Sequence, residues 1–154
     1  MDRTGIARSC KTWREQGRRI VFTNGCFDLL HAGHVRYLFA ARKMGDILVV
    51  GLNTDDSVRR LKGPDRPVTT QEDRAEILAA LSCVDAVTLF DEDTPLRLIE
   101  TITPHVLVKG ADWAPDEVVG RRHVEAHGGK VITVPLSKGR STTGLLDKIK
   151  DTQQ

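Results

Sequence analysis

Five short runs rich in β-branched and apolar residues recur along this chain, at 19–23, 47–52, 86–90, 106–109 and 130–134, separated by segments with helical spacing. Their near-continuous apolar character fits strands of a parallel sheet covered on both faces, because a half-exposed strand would alternate polar and apolar positions. Helical patterns fall at 33–44, 54–61, 71–81, 95–102, 115–127 and 142–150, and an amphipathic helix over 4–17, ended by Gly17, precedes the first run. Pro95 and Pro115 suit first-turn positions, and Thr94 is placed to cap its helix. Strand–helix alternation with right-handed crossovers predicts an α/β fold, a doubly wound sheet of about five parallel strands with helices on both faces.

The chain has 154 residues, which suits one domain: an N-terminal helix over 1–18, a core over 19–150 and a tail over 151–154. A net charge of +2, with basic residues scattered except for pairs such as Arg59-Arg60 and Arg121-Arg122, gives no reason to expect a nucleic-acid partner. The amino terminus lacks the apolar core of a signal peptide and no apolar run approaches ~18 residues, so no membrane partner is expected. Cys10, Cys26 and Cys83 are isolated thiols without a C-x-x-C, which favours a reducing cytoplasm over a disulfide framework.

The segment Gly25-Cys26-Phe27-Asp28-Leu29-Leu30-His31-Ala32-Gly33-His34 follows the first run and precedes the apolar-periodic stretch from Val35 to Ala41. It reads as strand, glycine-containing turn and helix start. Unpaired N–H groups at a helix start, together with the helix dipole, favour an anion. Two potentially cationic imidazoles flanking Gly33 make that cradle a place for charge developing on a phosphoryl group. A second candidate is Gly139-Arg140-Ser141-Thr142-Thr143, where three hydroxyls open the last helical pattern. They either hold phosphate oxygens or form a plain N-cap. Both blocks come just after strands, the edge at which doubly wound sheets bind ligands.

The residues Gly25, Phe27, Asp28, His31, Gly33 and His34 resemble the H-x-G-H signature of the nucleotidyltransferase superfamily, and Gly139 to Thr143 resembles the Ser-Thr-Thr motif of its cytidylyltransferase-like branch. Asn53-Thr54-Asp55 and Val108-Lys109-Gly110-Ala111-Asp112-Trp113, each after a strand, match as well, so the resemblance covers 19–150 almost without gaps. The stretches Leu61-Lys62-Gly63-Pro64-Asp65-Arg66-Pro67-Val68 and Glu92-Asp93-Thr94-Pro95 are most similar to heptose-1-phosphate adenylyltransferases, which some organisms fuse to a sugar kinase. Glycerol-3-phosphate cytidylyltransferase is the nearest other relative, but Leu136-Ser137-Lys138-Gly139-Arg140 replaces its arginine-led version of the last motif. The resemblance implies a Rossmann-like fold and a reaction joining ATP and D-glycero-D-manno-heptose 1-phosphate into ADP-heptose and pyrophosphate, with Mg²⁺ accompanying the ATP. Related enzymes are often dimers, so a homodimer is compatible with it.

On that reading His31 and His34 bind the α-phosphate and its transition state, and Lys62 reaches the phosphates as a point charge. Neither histidine needs to act as a base, since a sugar phosphate is already ionised. Asn24, Gly25, Cys26 and Phe27 line the nucleotide, the last three through backbone amides, and Gly33 lets the helix start approach the phosphate. Gly110, Asp112, Gly139, Ser141, Thr142 and Thr143 belong to the same nucleotide set. Arg74 matches a position that faces phosphate, or else lies on a solvated face. Asp28, Asn53, Asp55 and Trp113 form the substrate set. Asp28 binds a cation, orients a histidine or caps the turn. Asp55 and Asp112 meet hydroxyls or cap helices, and Trp113 walls the pocket or covers the core edge. The segment 62–70, with Gly63, Pro64 and Pro67, is either a mobile lid or an ordinary crossover.

Several other chemistries fail on sequence. His123 and His127 lie four apart, a zinc-compatible spacing, but Val124 stands where a metalloprotease helix needs Glu. Gly128-Gly129-Lys130 continues into Val131 rather than completing a P-loop, and there is no G-x-G-x-x-G. An RNA-binding synthetase fragment would need a lysine-rich loop and a basic stripe. A CTP-dependent polyol-phosphate enzyme and a catalytically silent nucleotide-binding module stay open beside the adenylyltransferase reading.

Overall fold

Five strands, β1 (Ile20–Gly25), β2 (Ile47–Asn53), β3 (Ala86–Phe90), β4 (Val106–Gly110) and β5 (Lys130–Val134), make up the sheet in a computed structural model of the chain. It describes residues 1–111, 114–135 and 142–151, apart from the side chains of Pro115, Thr142 and Lys150. The strands pair in parallel in the order β3-β2-β1-β4-β5, with Ile20 opposite Ile47 and Val21 opposite Val106. The helices among the described residues are α1 (Arg3–Glu15), α2 (Ala32–Arg42), α3 (Asp55–Lys62), α4 (Gln71–Ala79), α5 (Leu96–Ile102), α6 (Arg121–Ala126) and α7 (Thr142–Asp151). The expected α/β, Rossmann-like doubly wound sheet is therefore the observed fold.

The pleat of β1 divides the interior into two cores. Ile20 and Phe22 join Ile6 and Cys10 of α1 and Leu98, Ile99 and Ile102 of α5. Val21 joins Tyr37, Leu38 and Ala41 of α2 and Leu78 of α4. Both faces are covered, which is why every residue of β2 is buried and the strands read as unbroken apolar runs. Packing is tight at the centre: a Cβ on Gly51 would lie 2.8 Å from the Phe22 ring and 3.1 Å from Leu98. From β1 the chain moves outward through β2 to β3, then crosses back to β4 on the other side of β1. The crevice of such a reversal lies at the carboxyl ends of β1 and β4.

Local chemistry explains most helix starts. The Thr54 hydroxyl accepts from Ser57 N–H at 3.2 Å to cap α3, and the Thr70 hydroxyl accepts from Asp73 N–H at 3.2 Å to cap α4. The helix expected at 95–102 begins one residue later, with Pro95 itself at the N-cap. Thr94 does not cap it, because the cap position makes no side-chain hydrogen bond. The helix expected over 115–127 splits into a 3-10 turn at Pro115–Glu117 and then α6. Gly120 stands between them with φ of 86°, and a Cβ there would meet Ile99 at 2.6 Å, so the chain bends where only glycine fits. Lys62 belongs to α3, and the irregular stretch begins at Gly63, whose φ of 101° ends that helix. No helix among the described residues is long and apolar enough to cross a membrane.

Candidate active site

The two signature imidazoles sit at the start of α2, just beyond the carboxyl end of the central strand. His31 is the N-cap, and its Nδ1 accepts from Gly33 N–H at 3.1 Å. His34 Nδ1 in turn accepts from His31 N–H at 3.4 Å. This is a capping box in which imidazoles replace the usual hydroxyl and carboxylate. It also sets the tautomer, since a neutral imidazole carries one donor and one acceptor, and an accepting Nδ1 leaves the proton on Nε2. The rings stack 3.9 Å apart at 23°, and Phe27 meets His34 edge-on at 5.4 Å.

Burial, the neighbouring His31 and the Lys62 ammonium push the His34 pKa down to about 4. His34 is therefore a neutral Nε2–H donor near pH 7. Of the two potentially cationic imidazoles, His34 is thus held uncharged, because burial, the stacked His31 ring and a nearby lysine all disfavour a further positive charge. The turn leading to them is strained. Phe27 and Leu29 hold φ of 44° and 45°, which side-chain-bearing residues rarely adopt and which concentrate at functional sites.

Buried groups that the sequence did not single out fix α2 on the sheet. Tyr37, one turn beyond His34, donates its hydroxyl to Val108 O at 3.2 Å and accepts from the Thr23 hydroxyl at 2.8 Å. That links α2 to β1 and β4 at once. A threonine inside an apolar strand and a tyrosine at i+3 from a signature histidine were the available signals.

Arg74 is 2% exposed, which overturns the solvated-face reading. Its Nη1 donates to Cys26 O and to Asn53 O (3.0 Å), its Nε to Thr69 O (3.2 Å) and its Nη2 to Asp55 Oδ1 (2.7 Å). One guanidinium thus ties the signature turn, the end of β2, the start of α3 and the entry to α4. Asn53 is buried and donates through Nδ2 to Ser57 Oγ at 2.9 Å. Asp55 is the first residue of α3, which Thr54 caps, and its carboxylate holds Arg74.

Asp28 is also buried. Its carboxylate accepts from Arg66 Nε at 2.7 Å, Val68 N–H at 3.0 Å, and Thr69 N–H and Oγ1 at 3.2 and 3.1 Å. Burial opposes ionisation, but the Val68 N–H, the Arg66 guanidinium and the Thr69 N–H outweigh it and hold the carboxyl below its ordinary value. The segment that reads as a lid or crossover is thus fastened to the signature turn at 66–69. Lys62, at its start, makes no ion pair among the described residues, and its charge is felt at both His34 and Cys26. Burial raises the Cys26 thiol, with Lys62, Arg74 and Arg66 opposing the shift, so it stays protonated.

The other expected positions divide by location. Gly25 ends β1, where a Cβ would meet the Phe27 ring at 3.1 Å, and the Asn24 Oδ1 beside it is buried without a hydrogen-bond partner. Gly33 is buried in the first turn of α2, and Gly110 closes β4. Thr142 and Thr143 begin α7, and Thr143 is exposed. Asp112, Trp113, Gly139 and Ser141 lie outside the described residues. The His123 and His127 rings lie 4.2 Å apart, tilted by 35°, but His123 Nε2 meets the Thr103 hydroxyl at 3.1 Å and His127 Nδ1 meets His123 O at 2.8 Å, so one ring ties α6 to the end of α5 and the other closes the end of α6.

Residues 22–145 match the family model described as cytidylyltransferase-like. The chain is 59% identical over 138 residues to the bifunctional protein HldE of Syntrophotalea carbinolica, covering 90% of this chain and 28% of that one. It is 62% identical over 136 residues to the bifunctional protein HldE of Geobacter sulfurreducens, covering 88% and 28%. The chain thus spans under a third of the length of these curated relatives. The crystal structure of the lipopolysaccharide core biosynthesis protein from Thermoplasma volcanium superposes with a TM-score of 0.65 at 31% identity, over 80% of this chain and 100% of that one. Pantoate-beta-alanine ligase from Francisella tularensis, at 14% identity and a TM-score of 0.61 over 92% of this chain and 67% of that one, shares the fold. The matched span runs from Phe22 in β1 to Leu145 in α7 and so takes in the histidine turn and the Ser-Thr-Thr block together; the chain belongs to the cytidylyltransferase-like family.

Proposed function

We propose that this chain is a nucleotidyltransferase that condenses ATP with D-glycero-D-manno-heptose 1-phosphate, giving ADP-heptose and pyrophosphate. The observation that carries the reading is the pair of imidazoles whose Nδ1 atoms accept from backbone N–H groups at the start of α2, at the ligand edge of the sheet; with Nδ1 an acceptor, each ring carries its proton on Nε2. A phosphate oxygen of the sugar phosphate attacks the α-phosphorus, and the bond from that phosphorus to the bridging oxygen of the β-phosphate breaks. Negative charge grows on the equatorial oxygens of the α-phosphate, where preorganised donors that need no reorganisation are worth most. Each is expected to contribute roughly 3–4 kcal/mol to the barrier. Lys62 adds a positive charge on the triphosphate side, and the hydroxyls of Ser141, Thr142 and Thr143 hold the outer phosphates. Asn53, Asp55 and Trp113 stand for the sugar or ribose contacts.

Magnesium enters this scheme with the triphosphate, as part of the substrate. Among the described residues no group of three or more His, Cys, Asp or Glu is placed to hold a metal ion, and the Asp28 carboxylate is engaged by the 66–69 segment, so no step is assigned to a protein-held ion. Support for the sugar comes from the identity with the HldE relatives and from the motifs at 61–68 and 92–95. The test is pyrophosphate release across a panel of ATP, CTP, GTP and UTP against heptose 1-phosphate, other hexose 1-phosphates and glycerol 3-phosphate. Highest turnover with ATP and the heptose is expected. Preference for CTP with glycerol 3-phosphate would replace the substrate assignment, and release with no pair would leave a nucleotide-binding module.

A further inference from the structure

We propose that Arg66 is a second phosphate-binding cation of this site, presented to the ligand by Asp28. The inference rests on the triphosphate reading above. Arg66 lies in the stretch between α3 and α4, and its side chain is only 14% exposed. One edge of its guanidinium is committed, with Nε on Asp28 Oδ2 at 2.7 Å. Its Nη2 is buried and has no hydrogen-bond partner. A buried guanidinium N–H without an acceptor is costly, and a site that keeps one is a site awaiting an acceptor.

The surrounding charges name that acceptor as an anion. Lys62, Arg74 and Arg66 all act on the Cys26 thiol in the signature turn, opposed there by Asp28. Arg74 is answered by Asp55 and Arg66 by Asp28, while Lys62 is answered by neither. The turn therefore carries an excess of positive charge beside an amide-rich helix start, which suits a polyphosphate. Asp28 is well suited to the supporting part. It is buried and held by Val68 and Thr69, so it fixes the plane of the guanidinium and leaves the far edge for a phosphate oxygen.

Calorimetric titration with inorganic tripolyphosphate tests this without relying on the nucleotide or the sugar. Arg66→Gln is expected to weaken binding about tenfold or more, the scale of one charge-assisted contact. Asp28→Asn keeps the guanidinium and is expected to weaken binding less. Equal affinity of wild type and Arg66→Gln overturns the proposal, and so does equal weakening by Arg66→Gln and Asp28→Asn, which makes Arg66 a strap only. Should Arg66→Gln fail to fold, Arg66→Lys decides: one ammonium cannot serve Asp28 and the anion as a fork does, so a loss of about threefold or more is expected, and unchanged affinity overturns the proposal. A wild type that binds no tripolyphosphate refutes the triphosphate reading itself, a different result from wild-type binding that ignores Arg66.

Discussion

Replacing Arg74 with methionine should unfasten the site more than any surface change of similar size. The substitution keeps much of the side-chain volume but strands the carbonyls of Cys26, Asn53 and Thr69 and the carboxylate of Asp55. Removing one partner of a buried, hydrogen-bonded charge pair costs about 3–5 kcal/mol. The Asp55 side chain is 21% exposed and regains some water, which places the expected loss near the lower end, about 3 kcal/mol. Total stability for such a domain is about 5–15 kcal/mol, so the variant should fold but melt early. With a urea m-value of about 2 kcal/mol/M, the midpoint should fall by about 1.5 M at unchanged m. Arg74→Lys keeps the charge but cannot span acceptors from four segments, and about half the loss is expected. Pyrophosphate release should drop in both variants, because Cys26 O and Thr69 O locate the turn and the segment that faces it. A methionine variant whose midpoint moves by less than about 0.5 M would refute the view that this guanidinium holds the frame together.

Acid should expose the His34 environment. Between the ordinary imidazole value of 6.5 and about 4, the unfolded chain takes up a proton that folded His34 refuses, so stability is full above 6.5 and is lost as pH falls through that window. Partial exposure of the ring reduces the effect to about 1–2 kcal/mol; the stability difference between wild type and His34→Gln should shrink by that much from pH 7 to pH 4.5, and a constant difference would contradict the neutral-donor assignment. Lys62→Ala should lose activity and Lys62→Arg recover only part of it, while tryptic cleavage after Lys62 should slow when ATP and magnesium are added. Equal cleavage with and without nucleotide, together with a fully active alanine variant, would reduce 62–70 to a connection. Ser141→Ala with Thr142→Ala should weaken triphosphate binding more than sugar-phosphate binding, once a cap loss of about 1 kcal/mol has been read from the melting temperature; unchanged triphosphate affinity in the folded double variant would leave the hydroxyls as a cap.

The strands were legible because burial on both sheet faces leaves an unbroken apolar run, and those at 86–90 and 130–134 match end to end. The first ran past its predicted end because Asn24 and Gly25 pair with Gly51 and Leu52 of β2, a partnership no local pattern reveals. The histidine turn was legible from residue types and spacing. Its charge state was not, because that depends on which ring nitrogen meets a backbone N–H and on a lysine 28 residues later. Arg74 and Arg66 were the least readable. Both sit among polar residues in sequence, and what buries them comes from acceptors at 26, 28, 53, 55 and 69. Gly120 was visible as a residue but not as a helix break, because the break depends on its distance from Ile99.

In the proposed reaction the Nε2–H groups of His31 and His34 stabilise the transition state of nucleotidyl transfer. Single-turnover pyrophosphate release at saturating ATP and heptose 1-phosphate, compared between wild type and His31→Ala or His34→Ala, tests it most directly. A fall of ~10²-fold or more, with ATP affinity changed far less, is the predicted result. A variant that binds ATP and turns over at near wild-type rate would remove that histidine from the chemistry.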